Sequence, residues 1–394
     1  MNPPVEQPEI LPSHAQTKTS RRPRRTGGAI LVFLGIVQAI ILLAHAFIYE
    51  TWTVFRGASD FGGTFNLRLA LGLLSISFII ASVLARNSYN FAVNAFYKIT
   101  SVWMGMLNFF VVASVICWLV ALGAWLSGSL ALMPGVVLVT FGLALLATVY
   151  GVINARVIRV KKLQVALPDL PHAWRGRTAA LVSDIHVGPV NGVGFMRKIV
   201  ALLARQKPDI VLIPGDFYDG TKVDERAMAD PWKNFPAPLG VYFATGNHEE
   251  FSDPAPFLTA LSQAGVRVLE NEKVTVDGLQ IIGINDRDLA DRVRLAALLE
   301  SLEIDRNQAS LLLAHTPGRV EVAEEAGISL QVSGHTHGGQ VFPFTWFTHR
   351  IFKQFTYGLQ RLGGLSVYTT YGVGTWGPPL RLGTRPEIVL IEFA

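Results

Sequence analysis

Five of the nine histidines in the chain, His186, His248, His315, His335 and His337, fall in short polar clusters. The clusters read Asp184-Ile185-His186, Gly215-Asp216, Gly246-Asn247-His248-Glu249, His315 and Gly334-His335-Thr336-His337-Gly338-Gly339. Singly each is ordinary, since Asp-x-His is more often a turn and Gly-Asp is commonplace. Together they concentrate carboxylate, imidazole and amide oxygen, donors that suit borderline first-row cations such as Mn²⁺, Fe or Zn²⁺. The single Cys117 lies in an apolar run, which excludes disulfides and thiolate metal sites. Residues two apart at a strand end project to one side, so Asp184 with His186, and His335 with His337, would act as pairs. Gly215, Gly246, Gly334, Gly338 and Gly339 allow tight turns and a close approach of phosphate to backbone N–H groups.

Each cluster follows a short apolar run that must position it. Residues 178–182, 209–213, 241–245, 311–314 and 330–333 read as buried strands by length and β-branched content. Between them, 195–206, 256–264, 293–302 and 319–326 read as helices, and 366–371 and 387–393 as closing strands. This alternation predicts an α/β domain, whose sheets place ligands at the carboxyl ends of their strands. Glu249, Glu250 and Asp253 are expected to support the ligands or to cap a helix beginning near Pro254. Asp286 and Asp288 read as turn residues, and Asp219 as holding a neighbouring loop outside the metal set.

The order and form of the blocks resemble the calcineurin-like metallophosphoesterase superfamily, whose pattern runs D-x-H, G-D, G-N-H-E, H and G-H-x-H. The resemblance covers residue 177 to the C-terminus. Gly-His-Thr-His-Gly-Gly-Gln at 334–340 and Gly-Thr-Trp-Gly-Pro-Pro-Leu-Arg-Leu-Gly at 374–383 look like its bacterial membrane-associated phosphodiesterase branch. It implies an α/β/β/α sandwich with the ligands at strand C-terminal ends. One metal would be held by Asp184, His186 and His337, a second by Asn247, His315 and His335, with Asp216 bridging. Two divalent or mixed-valence ions, Mn, Fe or Zn, would share a hydroxide and hold the phosphoryl oxygens for in-line attack on a P–O bond. His248, left without a metal, is expected to stabilise the transition-state oxygens or protonate the leaving group. A membrane-bound subgroup of similar architecture cleaves the pyrophosphate of UDP-2,3-diacylglucosamine in lipid A synthesis, an alternative to a general phosphodiesterase. A non-catalytic membrane sensor or scaffold is the competing class; lost ligands would mark it, and all are in place.

Composition divides the chain. Of 394 residues 50% are hydrophobic and 16% charged, with a mean hydropathy of +0.37, too apolar for a wholly soluble enzyme. The net charge of +5 sits in blocks beside apolar segments, which points to a bilayer and not to nucleic acid. We expect a disordered basic tail at 1–28, a membrane region at 29–155 and a catalytic domain at 165–394. The membrane region carries about four spans, near 29–49, 69–85, 102–126 and 131–153. The Arg21-Arg22 block imitates a twin-arginine export signal, with Ala44-His45-Ala46 as its cleavage site. Pro23-Arg24 departs from that pattern, and 29–49 is long enough to span. Four spans put nearly every flanking Lys and Arg on one side, predicting a multi-pass inner-membrane protein with a cytoplasmic catalytic domain. The spans lack the paired charges of an ion path, which argues against a transporter. The aromatic and basic segment at 342–355 suits a membrane interface, an acyl-chain pocket or a packed loop. It is the basis for expecting a lipid-linked phosphodiester or pyrophosphate as substrate. Arg381 and Arg385 could pair with a substrate phosphate.

Overall fold

In a computed structural model describing residues 27–56, 61–251 and 253–394, four long helices precede two packed sheets. The expected basic tail, with its arginine block, lies almost wholly outside these residues. The helices are α1 (Gly27–Arg56), α2 (Phe61–Asn87), α3 (Phe91–Leu126) and α4 (Met133–Asn154). Each is long and apolar enough to cross a membrane. α1 and α2 run past both limits read from hydropathy and α3 past its first, because hydropathy registers only the hydrocarbon-facing part of a helix, whereas α4 begins two residues inside the expected 131. At 36 residues α3 is about 54 Å long, far more than the ~30 Å of hydrocarbon, and its first turn is closed by the Asn90 side chain accepting from Val93 N–H. Ile48, Phe109, Val137 and Phe141 pack together in the bundle. Hydrogen bonds from Trp103 Nε1 to His45 Nε2 (2.9 Å) and from Trp118 Nε1 to Thr51 Oγ1 (3.0 Å) tie α3 to α1.

Twelve strands follow among the described residues. They are β1 (Arg159–Val165), β2 (Thr178–Leu181), β3 (Ile210–Pro214), β4 (Val241–Ala244), β5 (Val266–Val268) and β6 (Glu272–Val276). After them come β7 (Leu279–Ile284), β8 (Ser310–Ala314), β9 (Leu330–Ser333), β10 (Gly358–Leu362), β11 (Leu365–Thr369) and β12 (Glu387–Phe393). One sheet has the order β1-β12-β2-β3-β4-β5 and the other β10-β11-β9-β8-β7-β6. Leu181, Leu212, Ile281, Leu313 and Val332 fill the space between them. The outer face of the first is covered by α5 (Val193–Gln206), α6 (Glu225–Ala229) and α7 (Ala255–Gln263). That of the second is covered by α8 (Asp286–Leu289), α9 (Arg292–Ser301) and α10 (Val320–Glu325). The result is the α/β/β/α sandwich, and burial on both faces explains why its central strands read as unbroken apolar runs.

The strands that sequence reading missed are the edge strands β1, β5, β6 and β10 and, beside β6, the wholly buried β7. β1 and β10 alternate in burial instead of forming such runs. Lys161 and Lys162, read as flanking charge, belong to β1, which pairs with β12 from Arg159↔Glu387 onward. The sheet therefore starts ahead of the boundary expected at 165. The aromatic segment forms a helix, α11 (Phe344–Phe352).

A polar seam joins helices to sheets. Asn154 Nδ2 donates to the carbonyls of Arg381 (3.0 Å) and Thr384 (2.9 Å), and Arg381 N–H donates to Gly151 O (3.0 Å). Asn108 Nδ2 donates to Phe342 O at 2.8 Å, while Val341 and Leu380 join the apolar cluster of the bundle. Replacing Asn154 with Leu strips two buried carbonyls of their donor, at about 1–3 kcal/mol each. The full-length protein in detergent should melt earlier and be cleaved faster within 378–384; an unaltered Tm and cleavage rate would contradict a structural role for the seam.

Candidate metal centre

The polar clusters meet because β2, β3, β4, β8 and β9 all end on one rim of the sandwich. Asp184 and His186 follow β2, Asp216 follows β3, Asn247 and His248 follow β4, His315 follows β8, and His335 and His337 follow β9. His186 Nε2 stands 3.0 Å from His337 Nε2 and 3.6 Å from Asp216 Oδ2. His337 Nε2 is 3.3 Å from Asp184 Oδ1. Asp216 Oδ2 also lies 3.1 Å from His315 Nε2, and His335 Nδ1 lies 2.9 Å from Asn247 Oδ1. Asp216 thus touches both sets of histidines. Donor atoms of Asp184, His186 and His337 fall within 4.8 Å of one another, as do those of Asp184, Asp216 and His315.

The donor set fits cations. Asp184 Oδ2 and His186 Nδ1 are buried without a hydrogen-bond partner among the described residues. Two buried carboxylates faced chiefly by imidazoles require positive charge between them. Burial pushes the Asp184 carboxyl up, only partly offset by His315. Burial works the same way on Asp216, but His315 and His186 outweigh it and hold that carboxyl below its ordinary range. His337 is held well below the usual imidazole value by burial and by His186 and Arg381.

Supporting groups fix the expected ligands. His315 Nδ1 donates to Pro214 O at 2.8 Å, which leaves Nε2 turned towards Asp216. The fully buried Glu249 accepts the N–H groups of Asp216 (3.1 Å), Tyr218 (2.9 Å) and Gly246 (2.8 Å), so it clamps the two loops from behind the cluster. Glu250 accepts from Thr245 Oγ1 and Arg287 N–H, and Asp253 caps α7 through Ala255 N–H. Asp286 accepts from the Thr316 hydroxyl at 2.6 Å, and the wholly buried Asp288 pairs with Arg294 at 2.7 Å. Asp286 thereby braces the loop beside His315, and Asp288 also accepts Asn271 Nδ2 at 2.7 Å, fuller roles than the turns expected. Asp219 stands closer to the centre than expected: its Oδ1 is 3.5 Å from His186 Nδ1, and its carbonyl accepts His248 Nδ1 at 3.0 Å.

Five of the seven expected ligands have left-handed backbones: Asp184 (φ 53°), His186 (49°), Asp216 (52°), His335 (66°) and His337 (47°). A non-glycine residue there costs about 1 kcal/mol or more, and nothing in residue type announces it. The neighbouring glycines make room, and not chiefly for phosphate. A Cβ on Gly246 would stand 2.2 Å from Asp216 Oδ1, and one on Gly334 would stand 2.1 Å from Asp184 Oδ2.

The two arginines expected to meet phosphate do not line the cavity at the centre. Arg381 is fully buried behind His337, donating to the carbonyls of Gly374 and Tyr371 at 2.7 Å each, with Nη2 3.1 Å from His337 Nδ1. Arg385 is exposed.

That cavity, about 740 Å³, begins at Asp216, Asn247, His248, His335 and His337 and continues between Phe251, Phe344, Phe352 and Trp376. It ends against α1, α2 and α3, at Ile41, Phe78 and Val111 among others. Phe352 also borders a second cavity of about 810 Å³, lined by Asp286, Thr316, Arg319 and Lys353.

Residues 178–339 match the family model for calcineurin-like phosphoesterases. A metallophosphoesterase of Campylobacter jejuni is 31% identical over 251 residues, covering 62% of this chain and 66% of that one. A transmembrane protein with a metallophosphoesterase domain from Danio rerio is 34% identical over 260 residues, covering 62% and 59% respectively. A metallophosphoesterase of Aquifex aeolicus is 30% identical over 259 residues, covering 64% of this chain and 97% of its own length. The chain thus spans somewhat less than two thirds of the Campylobacter and Danio proteins. Gly334→Ala should displace Asp184 and weaken Mn²⁺ binding about 10–100-fold in titration calorimetry; unchanged affinity would show that the glycine is dispensable.

Proposed function

The chain belongs to the calcineurin-like metallophosphoesterases, and from that premise we propose that it is a metal-dependent phosphohydrolase acting on a phosphodiester or pyrophosphate carried by a membrane lipid. The observation that carries the lipid part is the cavity: one pole is the cluster of Asp, Asn and His donors, and the other is the flank of the apolar helices. A water-soluble diester needs no such extension. α11 supports the same reading, with Trp346, Phe347 and Ile351 half or more exposed beside Arg350, the pattern of a helix lying in a membrane interface.

In this reading Asp184, His186 and His337 would hold one cation and Asn247, His315 and His335 a second, with Asp216 shared by the two sets. Bound there, the pair supplies Lewis-acid activation of water and neutralises phosphoryl charge. His248 gives Nδ1 to the Asp219 carbonyl, so Nε2 is the nitrogen left to meet a phosphoryl or leaving-group oxygen. Phe251 and Trp376, with ring centroids 4.5 and 6.0 Å from that of His248, flank it. The helices would seat the domain at the inner membrane, on the cytoplasmic face by the positive-inside rule.

Purified full-length protein with Mn²⁺ should hydrolyse lipid phosphodiesters or lipid pyrophosphates, a nucleotide-linked diacyl sugar among them, in preference to nucleotide diesters and phosphomonoesters. Asp216→Asn and His335→Ala should each lower turnover by more than about 100-fold; variants that keep full activity, or a cellular role untouched by them, would favour a scaffold. Trp346, Phe347 and Phe352 changed together to Ser should impair lipid turnover more than that of a small chromogenic diester, and equal losses would argue against an interfacial α11.

A further inference from the structure

We propose that α1, α2 and α3 are part of the substrate site: an acyl chain lies in the apolar end of the cavity, against Ile41 and Ala44 of α1, Phe78 of α2 and Val111 of α3. This rests on the lipid-linked reading above and adds which residues read the chain. The cavity is continuous from the histidine cluster to these side chains, so an acyl group seated there belongs to the molecule whose phosphoester is at the centre. Asn108, the polar group that α3 contributes to the lining, has its amide nitrogen turned to Phe342 O, and the other side chains that the helices give to the lining are apolar. Ile40, at the rim, is 61% exposed although it lies within the first candidate span. Exposure there faces lipid, and a chain can enter sideways from the bilayer without leaving hydrocarbon.

Small residues set the width of this end. Gly105 cannot be used to narrow it, because a Cβ there would stand 2.1 Å from Leu380 Cδ2 and disturb the joint with the catalytic domain. Ala44 and Val111 are half-buried apolar residues of the lining and belong to none of the polar clusters, and larger side chains at either would project into the space assigned to the chain. Their effect is then on chain length and not on hydrolysis itself.

The test compares kcat/KM for one phosphodiester lipid bearing either C6 or C16 chains, in mixed micelles, with that for bis(p-nitrophenyl) phosphate. The wild type should prefer the long chain. Ala44→Phe and, independently, Val111→Phe should lower the C16-to-C6 ratio by about tenfold or more while leaving the soluble diester within about twofold, which also reports an intact fold. A wild type that hydrolyses the soluble diester and neither lipid overturns the lipid-linked reading and this inference with it. A wild type that prefers lipid, with a chain-length ratio moved by neither variant, overturns this inference alone.

Discussion

Asp184 and Asp216 carry their carboxylates into a part of the protein from which water is excluded, and most of the surrounding structure follows from accommodating them. A buried carboxylate needs hydrogen-bond donors and nearby positive charge. Donors come from the backbone: His335 N–H reaches Asp184 at 2.9 Å and His248 N–H reaches Asp216 at 3.0 Å. To aim those groups inward, the loops adopt left-handed turns at residues that disfavour them, and glycines at 246 and 334 withdraw to leave space. Positive charge is left to imidazoles and to cations. Among the described residues the one guanidinium buried nearby, that of Arg381, is turned into carbonyl groups instead.

That division explains what could and could not be read from residue order. Central strands were legible because burial on both faces writes an uninterrupted apolar run, and the ligand clusters because each sits where such a run stops. β1 and β10 were not, since an edge strand buries alternate residues and its charged ones resemble a linker. α11 was hidden by its aromatic content, which fits an interfacial helix and a packed loop equally well. Of the site, the donor types were legible and their setting was not. Positive φ at aspartate and histidine has no compositional mark, and Arg381 looked like a phosphate ligand because nothing local shows that its side chain turns inward.

The membrane helices and the catalytic sheets are linked in the same spirit, through satisfied polar groups set in apolar packing. Asn154 and Asn108 spend their amides on carbonyls of the catalytic domain, while Leu380 and Val341 enter the apolar cluster of the bundle. Such a joint has a defined geometry, unlike a flexible tether, and it accounts for a cavity whose walls come from both parts of the chain.

One residue of that joint faces two ways. The Arg381 backbone is bonded to the last turn of α4, through Gly151 and Asn154, while its side chain stands against His337. A helix answers a thicker or thinner bilayer by tilting, and Arg381, with Thr384 beside it, would carry a tilt of α4 towards His337. Bilayer thickness would then bear on the geometry around His337, which a micelle and a bilayer would hold differently.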